Sequence, residues 1–225
     1  MSRSRRLVVV WLLAFAVAAT VTLAAAARST SFRDDFTTLD ASRWVVSSRP
    51  FGRGTLDPAN VAVTNGFLGI ELPGGTLNGG EMRSRSLYGF GTYRASIKVA
   101  NAPSSLTAFF LYKRPDYQQE IDIELYNDPS GQVMFTTYSG GSQTNTRTVQ
   151  LGFDPTTAFH TYEIDYEPGS ARFLVDGAPL QSWTSGVPRS SMYLYFNAWF
   201  PSWLTGPTPA GDRFTYVDWV DFAAS

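Results

Sequence analysis

The sequence predicts an all-β domain, a sandwich of antiparallel sheets, on three observations. Short runs rich in Val, Ile, Tyr, Phe and Thr recur between turn signals. No segment beyond the first 27 residues sustains a helical period. The clearest periodic stretch, Tyr88 to Val99, sets Tyr93, Ala95, Ile97 and Val99 against Arg94, Ser96 and Lys98, the two-residue alternation of a half-buried strand.

Taken in chain order, Arg3, Arg5 and Arg6 precede an uncharged run from Leu7 to Ala27 that closes on Ala25, Ala26 and Ala27. A basic start, an apolar stretch and small residues at its end describe a secretory signal over 1–27, followed by one domain over 28–225 that is exported. The run is also about as long as the ~20 residues that span a bilayer, so retention as a membrane anchor is the competing reading. The turn signals follow at Asn65-Gly66, Pro73-Gly74-Gly75, Gly79-Gly80, Pro129-Ser130-Gly131, Gly140-Gly141, Pro168-Gly169 and Asp176-Gly177. Pro201 to Asp212, rich in Pro and Gly, reads as a long loop near a ligand or as a covering flap. No linker and no fixed-period repeat divides the domain, so a single domain and a monomer are expected.

Composition narrows the function. The formal net charge is −1, and no basic run lies beyond the signal, which argues against nucleic acid and anionic lipid and for a neutral ligand. The absence of cysteine removes disulfides, thiol nucleophiles and cysteine-zinc sites. The sole histidine, His160, rules out histidine-rich metal centres and stands between Phe159 and Tyr162 as in a packed strand.

The most informative stretch is Glu120-Ile121-Asp122-Ile123-Glu124. In a strand, Glu120, Asp122 and Glu124 share one face and the two isoleucines anchor the other. Like charges held this close repel and push their pKa values apart, so that one carboxyl keeps its proton near neutral pH while a neighbour stays ionised. Acid and nucleophile chemistry needs that condition, and retaining glycoside hydrolysis is the reaction that uses two such carboxyls about 5 Å apart. Metal binding is the competing use, but a straight strand lacks the loop that wraps oxygens around calcium.

A second stretch, Glu163-Ile164-Asp165-Tyr166-Glu167, repeats the pattern. It runs into the Pro168-Gly169 turn and then Arg172, so it reads as an outer hairpin with paired charges. The first copy follows the apolar run Ala108-Phe109-Phe110-Leu111-Tyr112 and has no base after Arg114, which points it toward an aromatic-lined cleft.

The stretch also resembles the signature of glycoside hydrolase family 16, and its surroundings resemble the bacterial lichenase, or endo-β-1,3-1,4-glucanase, branch. The likeness takes in Gly80-Glu81-Met82-Arg83-Ser84, Tyr88-Gly89-Phe90-Gly91-Thr92-Tyr93, Phe109-Phe110, Leu151-Gly152-Phe153-Asp154, Phe159-His160-Thr161-Tyr162, Val175-Asp176-Gly177, Asn197-Ala198-Trp199 and Tyr216-Val217-Asp218-Trp219-Val220. It implies a concanavalin A-like β-jelly-roll of two curved antiparallel sheets with a glycan cleft on the concave face. It further implies Glu120 as nucleophile, Glu124 as general acid/base and Asp122 as the assisting carboxylate, and a structural role for His160. Glu81 and Arg83 would contact sugar hydroxyls, with a surface salt bridge as the alternative, and Phe110, Tyr138, Asn197 and Trp199 would line the cleft.

By the same resemblance Asp34, Asp35 and Asp218 would tie the termini together. The chemistry requires no cofactor, and the resemblance leaves room for a structural calcium near Asp218. The expected partner is a β-linked polysaccharide and the expected activity a secreted retaining endo-β-glucanase. The alternatives are a transglycosylase of the same fold and a noncatalytic lectin. Three departures bear on substrate: Gln118 where lichenases carry a tryptophan, Thr136 where a cleft asparagine is usual, and Asn127 in place of a glycine; the Lys113 to Gln119 loop is also shorter.

Overall fold

The computed structural model describes residues 30–225; the signal or anchor expected over 1–27 lies outside the described residues. Seventeen strands follow in order: β1 Phe32–Asp34, β2 Trp44–Val46, β3 Arg49–Phe51, β4 Gly54–Leu56, β5 Val61–Thr64, β6 Phe67–Leu72, β7 Gly80–Ser84, β8 Gly91–Lys98 and β9 Leu106–Lys113. The chain continues through β10 Gln119–Tyr126, β11 Gln132–Ser139, β12 Ser142–Gln150, β13 His160–Glu167, β14 Ser170–Val175, β15 Ala178–Trp183, β16 Tyr193–Trp199 and β17 Arg213–Ala224. The described residues contain no α-helix, only a 3-10 turn at Pro58–Asn60.

Two large antiparallel sheets form the sandwich. One runs β15-β14-β13-β8-β17-β6-β5, with β1 added to β17; the other runs β12-β11-β10-β9-β16-β7-β2. The second sheet carries the site. Its inward residues, among them Met82, Phe109, Leu111, Ile121, Ile123, Phe135, Leu194 and Phe196, meet Leu68, Ile70, Tyr93, Ile97, Tyr162, Ile164, Phe173 and Phe222 of the first sheet in one core. Phe135 of β11 and Phe173 of β14 close that core across the sheets with ring centres 4.8 Å apart. Burying one such aromatic contributes about 1.5–3 kcal/mol, so the core carries the fold in a chain without disulfides.

The turn chemistry matches the expected signals, with one correction. Asn65-Gly66 and Asp176-Gly177 carry positive φ at both residues, the two-residue hairpin geometry that follows strand twist. Gly79-Gly80, expected as a turn, instead leads into β7 and opens it. The glycines answer to crowding there: a Cβ on Gly79 would lie 2.0 Å from the carbonyl oxygen of Ala198, and one on Gly80 would lie 2.7 Å from a methyl of Val61. The alternating strand begins at Gly91 rather than Tyr88, which makes only an isolated bridge to Met192.

The termini are tied by β1 on β17, by the Ala224 N–H donating to Ser31 Oγ at 2.9 Å and by Arg33 lying 3.9 Å from Asp221. Asp34 accepts the Trp44 indole N–H at 2.8 Å, while Arg94 grips Asp221 through two bonds of 3.0 Å. The side-chain partners of Asp34, which are the Phe36 N–H, Trp44 and Arg43, all lie in the N-terminal segment, so this carboxylate braces that segment and does not tie the two termini as expected. Among the described residues Asp35 pairs only with the neighbouring, exposed Arg33. Asp218 does not serve as a tie: it falls where the β17 pairing breaks between Val217 and Trp219, and its side chain has no hydrogen bond or ion pair among the described residues. Asn127 is wholly buried, donates to Ser105 Oγ at 2.8 Å and accepts from Thr107 Oγ1 at 2.7 Å, a side-chain role no glycine could take.

Candidate active site

The acid strand is β10, with unbroken register to both neighbours from Gln119 to Leu125. Because no bulge interrupts it, Ile121, Ile123 and Leu125 enter the core while Glu120, Asp122 and Glu124 line a cleft on the other face. The cleft has a volume of about 860 Å³ and crosses the sheet from Val45 on β2 to Thr146 on β12. Rows of side chains are set by register. Glu120 stands between Tyr138 and Tyr112, Asp122 between Thr136 and Phe110, and Glu124 between Met134 and Ala108.

No cation pairs with the three carboxylates among the described residues, and Asp122 is 5% exposed with one carboxyl oxygen that has no hydrogen-bond partner. Burial pushes Glu120 up to about 8, with the charges of Glu124 and Asp116 adding to the effect. Burial pushes Glu124 up to about 7. Asp122 is also raised well above the ordinary carboxylate range, by burial first and then by Glu120 and Glu124. The three release protons as one set rather than singly, and the set retains a proton at neutral pH.

The second acid stretch behaves as an outer hairpin. Asp165 faces Arg172 directly across β13 and β14, is bound by its guanidinium, and also accepts from Thr92 Oγ1 at 2.7 Å. His160 stacks on Phe153 with ring centres 3.7 Å apart and bonds Asp176 through Nδ1 at 2.7 Å, on the sheet that does not bear the cleft.

The other candidate residues all line the cleft, but two hold positions different from those expected. Glu81 is 1% exposed, and its ion pair is made with the partly exposed Arg49 rather than with Arg83. Its Oε1 accepts from Ser47 Oγ at 2.7 Å and from Arg49 Nη2 at 3.1 Å; its Oε2 accepts from Arg49 Nη2 at 2.9 Å and from Asn197 Nδ2 at 3.3 Å. Two donors on each oxygen use the capacity of the carboxylate, so Glu81 orients its neighbours. The amide of Asn197, fixed by that bond, keeps a buried Oδ1 without a hydrogen-bond partner among the described residues. Arg83 does not pair with Glu81; it donates to the Ser84 carbonyl at 2.8 Å and lies 4.7 Å over the Tyr193 ring.

Phe110 belongs to the cleft face rather than the main core, stacked on Tyr195 at 4.8 Å with Ala108 beneath. Trp199 packs against Phe51 at 4.2 Å, and Arg49 lies 4.2 Å over Phe51. Thr136 is buried and meets Thr146 Oγ1 at 3.3 Å. Several lining residues have no sequence pattern to mark them: Ser47, Arg49 and Phe51 come from the short β2–β3 region, Asp116 and Tyr117 from the β9–β10 loop. Trp203, 52% exposed, comes from the Pro- and Gly-rich loop, which therefore does border the cleft. A large aromatic in such a loop was a usable signal. As to calcium, no group of three or more acidic or histidine side chains among the described residues gathers as a metal site, and Asp218 offers no clustered donor set.

The sequence profile described as Glycosyl hydrolases family 16 matches residues 53–221. A Beta-glucanase of Bacillus subtilis (strain 168) is 30% identical over 223 residues, covering 92% of this chain and 91% of its own length. One from Paenibacillus macerans is 31% identical over 177 residues, with 74% of this chain and 75% of the relative covered. One from Paenibacillus polymyxa is 33% identical over 153 residues, with 65% of this chain and 64% of the relative covered. Among solved structures, Bacillus licheniformis beta-glucanase superposes with a TM-score of 0.80 at 27% identity, covering 87% of this chain and 98% of that one. With a jelly-roll of two antiparallel sheets, three carboxylates on one cleft face and this extent of likeness, the chain belongs to glycoside hydrolase family 16.

Proposed function

We propose that this chain is a retaining endo-β-glucanase acting on β-1,3-1,4-linked or related β-glucans by double displacement. The observation that carries the proposal is the acid trio: three carboxylates on one strand face, lining a groove, with no cation paired to them among the described residues and with burial favouring their protonated forms. An arrangement so costly to a fold is expected where it is used.

In this reading Glu120 attacks the anomeric carbon, and the glycosidic oxygen takes the proton of Glu124 as it leaves. Glu124 then removes a proton from water, which attacks the same carbon and frees Glu120. Asp122 lies between them in the strand, where burial favours its protonated form and its carboxyl can steady the attacking group by a hydrogen bond. Asn197 lines the groove beside Trp199, Phe110 and Tyr138, whose rings would offer aromatic faces to the C–H faces of pyranose units. A groove that crosses the whole sheet suits cleavage inside a polymer. The beta-glucanase relatives support the substrate class, while Gln118 and Thr136 bear on which linkages fit. Export by the basic and apolar start, and action as a monomer without a required cofactor, complete the proposal.

The direct test is Glu120→Ala. The variant should melt at or above the wild-type temperature at neutral pH and release no reducing ends from barley mixed-linkage glucan, laminarin or xyloglucan, whichever the wild type cleaves. Retained turnover by this variant would overturn the proposed mechanism.

A further inference from the structure

Among the described residues only three large apolar side chains are exposed: Tyr117, Trp203 and Phe214. Phe214 lies outside the cleft, stacked on Tyr216 at 5.8 Å. Tyr117 lines it, is 56% exposed, and has a φ of +65°, a conformation that an aromatic L-residue rarely adopts. Such a backbone persists only where its surroundings impose it.

The surroundings do so. The Tyr117 carbonyl accepts the Gly141 N–H at 3.0 Å, and the Gln118 carbonyl accepts the Gly140 N–H at 3.3 Å. Gly140 and Gly141 themselves have positive φ, which lets the β11–β12 turn bring both N–H groups to the loop. The Gln118 N–H closes a turn on the Pro115 carbonyl at 3.2 Å, and the Tyr112 hydroxyl binds Asp116. The loop backbone is thus braced on three sides, yet the ring it carries is left to solvent. Its nearest ring is Tyr138, 5.5 Å away and tilted by 42°, and Tyr138 stands directly opposite Glu120.

We infer that Tyr117 is a sugar-stacking platform that, with Tyr138, binds a neutral pyranose unit in the β11–β12 half of the cleft. Two tilted tyrosine rings present apolar faces and edge hydroxyls, the chemistry of a neutral hexose with its C–H face and equatorial hydroxyls. Arg114, Asp116 and Gln143 line the same region and can bond those hydroxyls. The inference rests on the glucanase reading, since the occupant is a unit of that polymer.

The test compares the wild type with Tyr117→Asn, Tyr117→Gly and Tyr117→Phe on the soluble β-glucan that the wild type hydrolyses. Asn and Gly tolerate the left-handed backbone, so both should melt at or above the wild-type temperature, which a packing role for the ring would not allow. Both should raise KM by about three- to tenfold, the scale of one aromatic contact, and leave kcat within about twofold, whereas Phe should restore most of the affinity. The same order should appear as reduced retardation in β-glucan affinity gels. A KM for the Asn variant equal to the wild-type value overturns the platform alone. Absence of any β-glucan hydrolysis by the wild type overturns the activity reading instead, and the two failures are distinguished by that control.

Discussion

Arg49 Nη2 lies 2.9 and 3.1 Å from the two carboxylate oxygens of Glu81, and the same carboxylate receives Ser47 and Asn197. A residue of the short β3 strand thereby sets the orientation of an amide on β16. Arg49→Ala should leave Glu81 buried and short of its cation, costing about 2–3 kcal/mol, less than a fully enclosed pair because the Arg49 side chain is 39% exposed. Loss of amide orientation should raise KM for the glucan by about tenfold, with a smaller effect on kcat. Thermal melting and initial rates check both parts. A KM equal to that of the wild type would show that Asn197 is held without the ion pair.

The pH dependence of turnover should be bell-shaped. Its alkaline limb should follow loss of the proton that Glu124 donates, with activity falling as pH rises through about 7, and its acid limb should follow protonation of the attacking Glu120. Asp116 adds to the elevation of Glu120, so Asp116→Asn should move the limb that reports Glu120 ionisation to lower pH while keeping a polar partner for the Tyr112 hydroxyl. A kcat/KM profile superimposable on that of the wild type would remove Asp116 from the site's electrostatics.

Stability should respond in the opposite direction from that of an ordinary salt-bridged acid. Unfolded carboxyls ionise near about 4, whereas Glu124 and Glu120 are held to about 7 and about 8 in the fold and Asp122 is also raised. Between those limits the native state binds more protons than the unfolded state, so the contribution of the trio to stability falls as pH rises and is least above about 8. Asp122→Asn should therefore melt above the wild type at pH 8, by about 2–4 °C for each kcal/mol recovered. The gain should shrink toward pH 4, while glucan hydrolysis is lost or severely reduced. A gain that grows on acidification would contradict the assigned direction.

Gly79→Ala addresses the glycine that sequence alone casts as a turn residue. Its Cβ would fall 2.0 Å from the Ala198 carbonyl oxygen, and backbone cannot move aside as a side chain can. A loss of about 1–3 kcal/mol or more is expected from overpacking. Gly66→Ala is the informative contrast, because its site is open but its φ is +81°, so its cost is conformational. Urea denaturation of both variants, with glucan hydrolysis as a second readout, should show activity falling more for Gly79→Ala, since β7 carries Glu81.

The fold class and the acid strand were legible in the sequence because both depend on local periodicity. Alternation in Tyr93 to Val99 and in Glu120 to Glu124 decides which face each side chain takes, and turn residues such as Asn65-Gly66 and Asp176-Gly177 fix their hairpins within a few bonds. The pairing of Asp165 with Arg172 was legible too, since a two-residue turn sets its register. What lies across the cleft was not. Glu81, Arg49, Ser47 and Asn197 come from β7, β3, the segment between β2 and β3, and β16, and no local pattern records that they converge on one carboxylate. The role of Gly79 is hidden for the same reason: its constraint is a carbonyl more than a hundred residues away, not its own turn. Periodicity acts over a few residues and so sequence states it directly, whereas saturation of a buried carboxylate, the exposure of Tyr117 and the elevation of three pKa values are properties of distance and burial, which only the assembled sheets create.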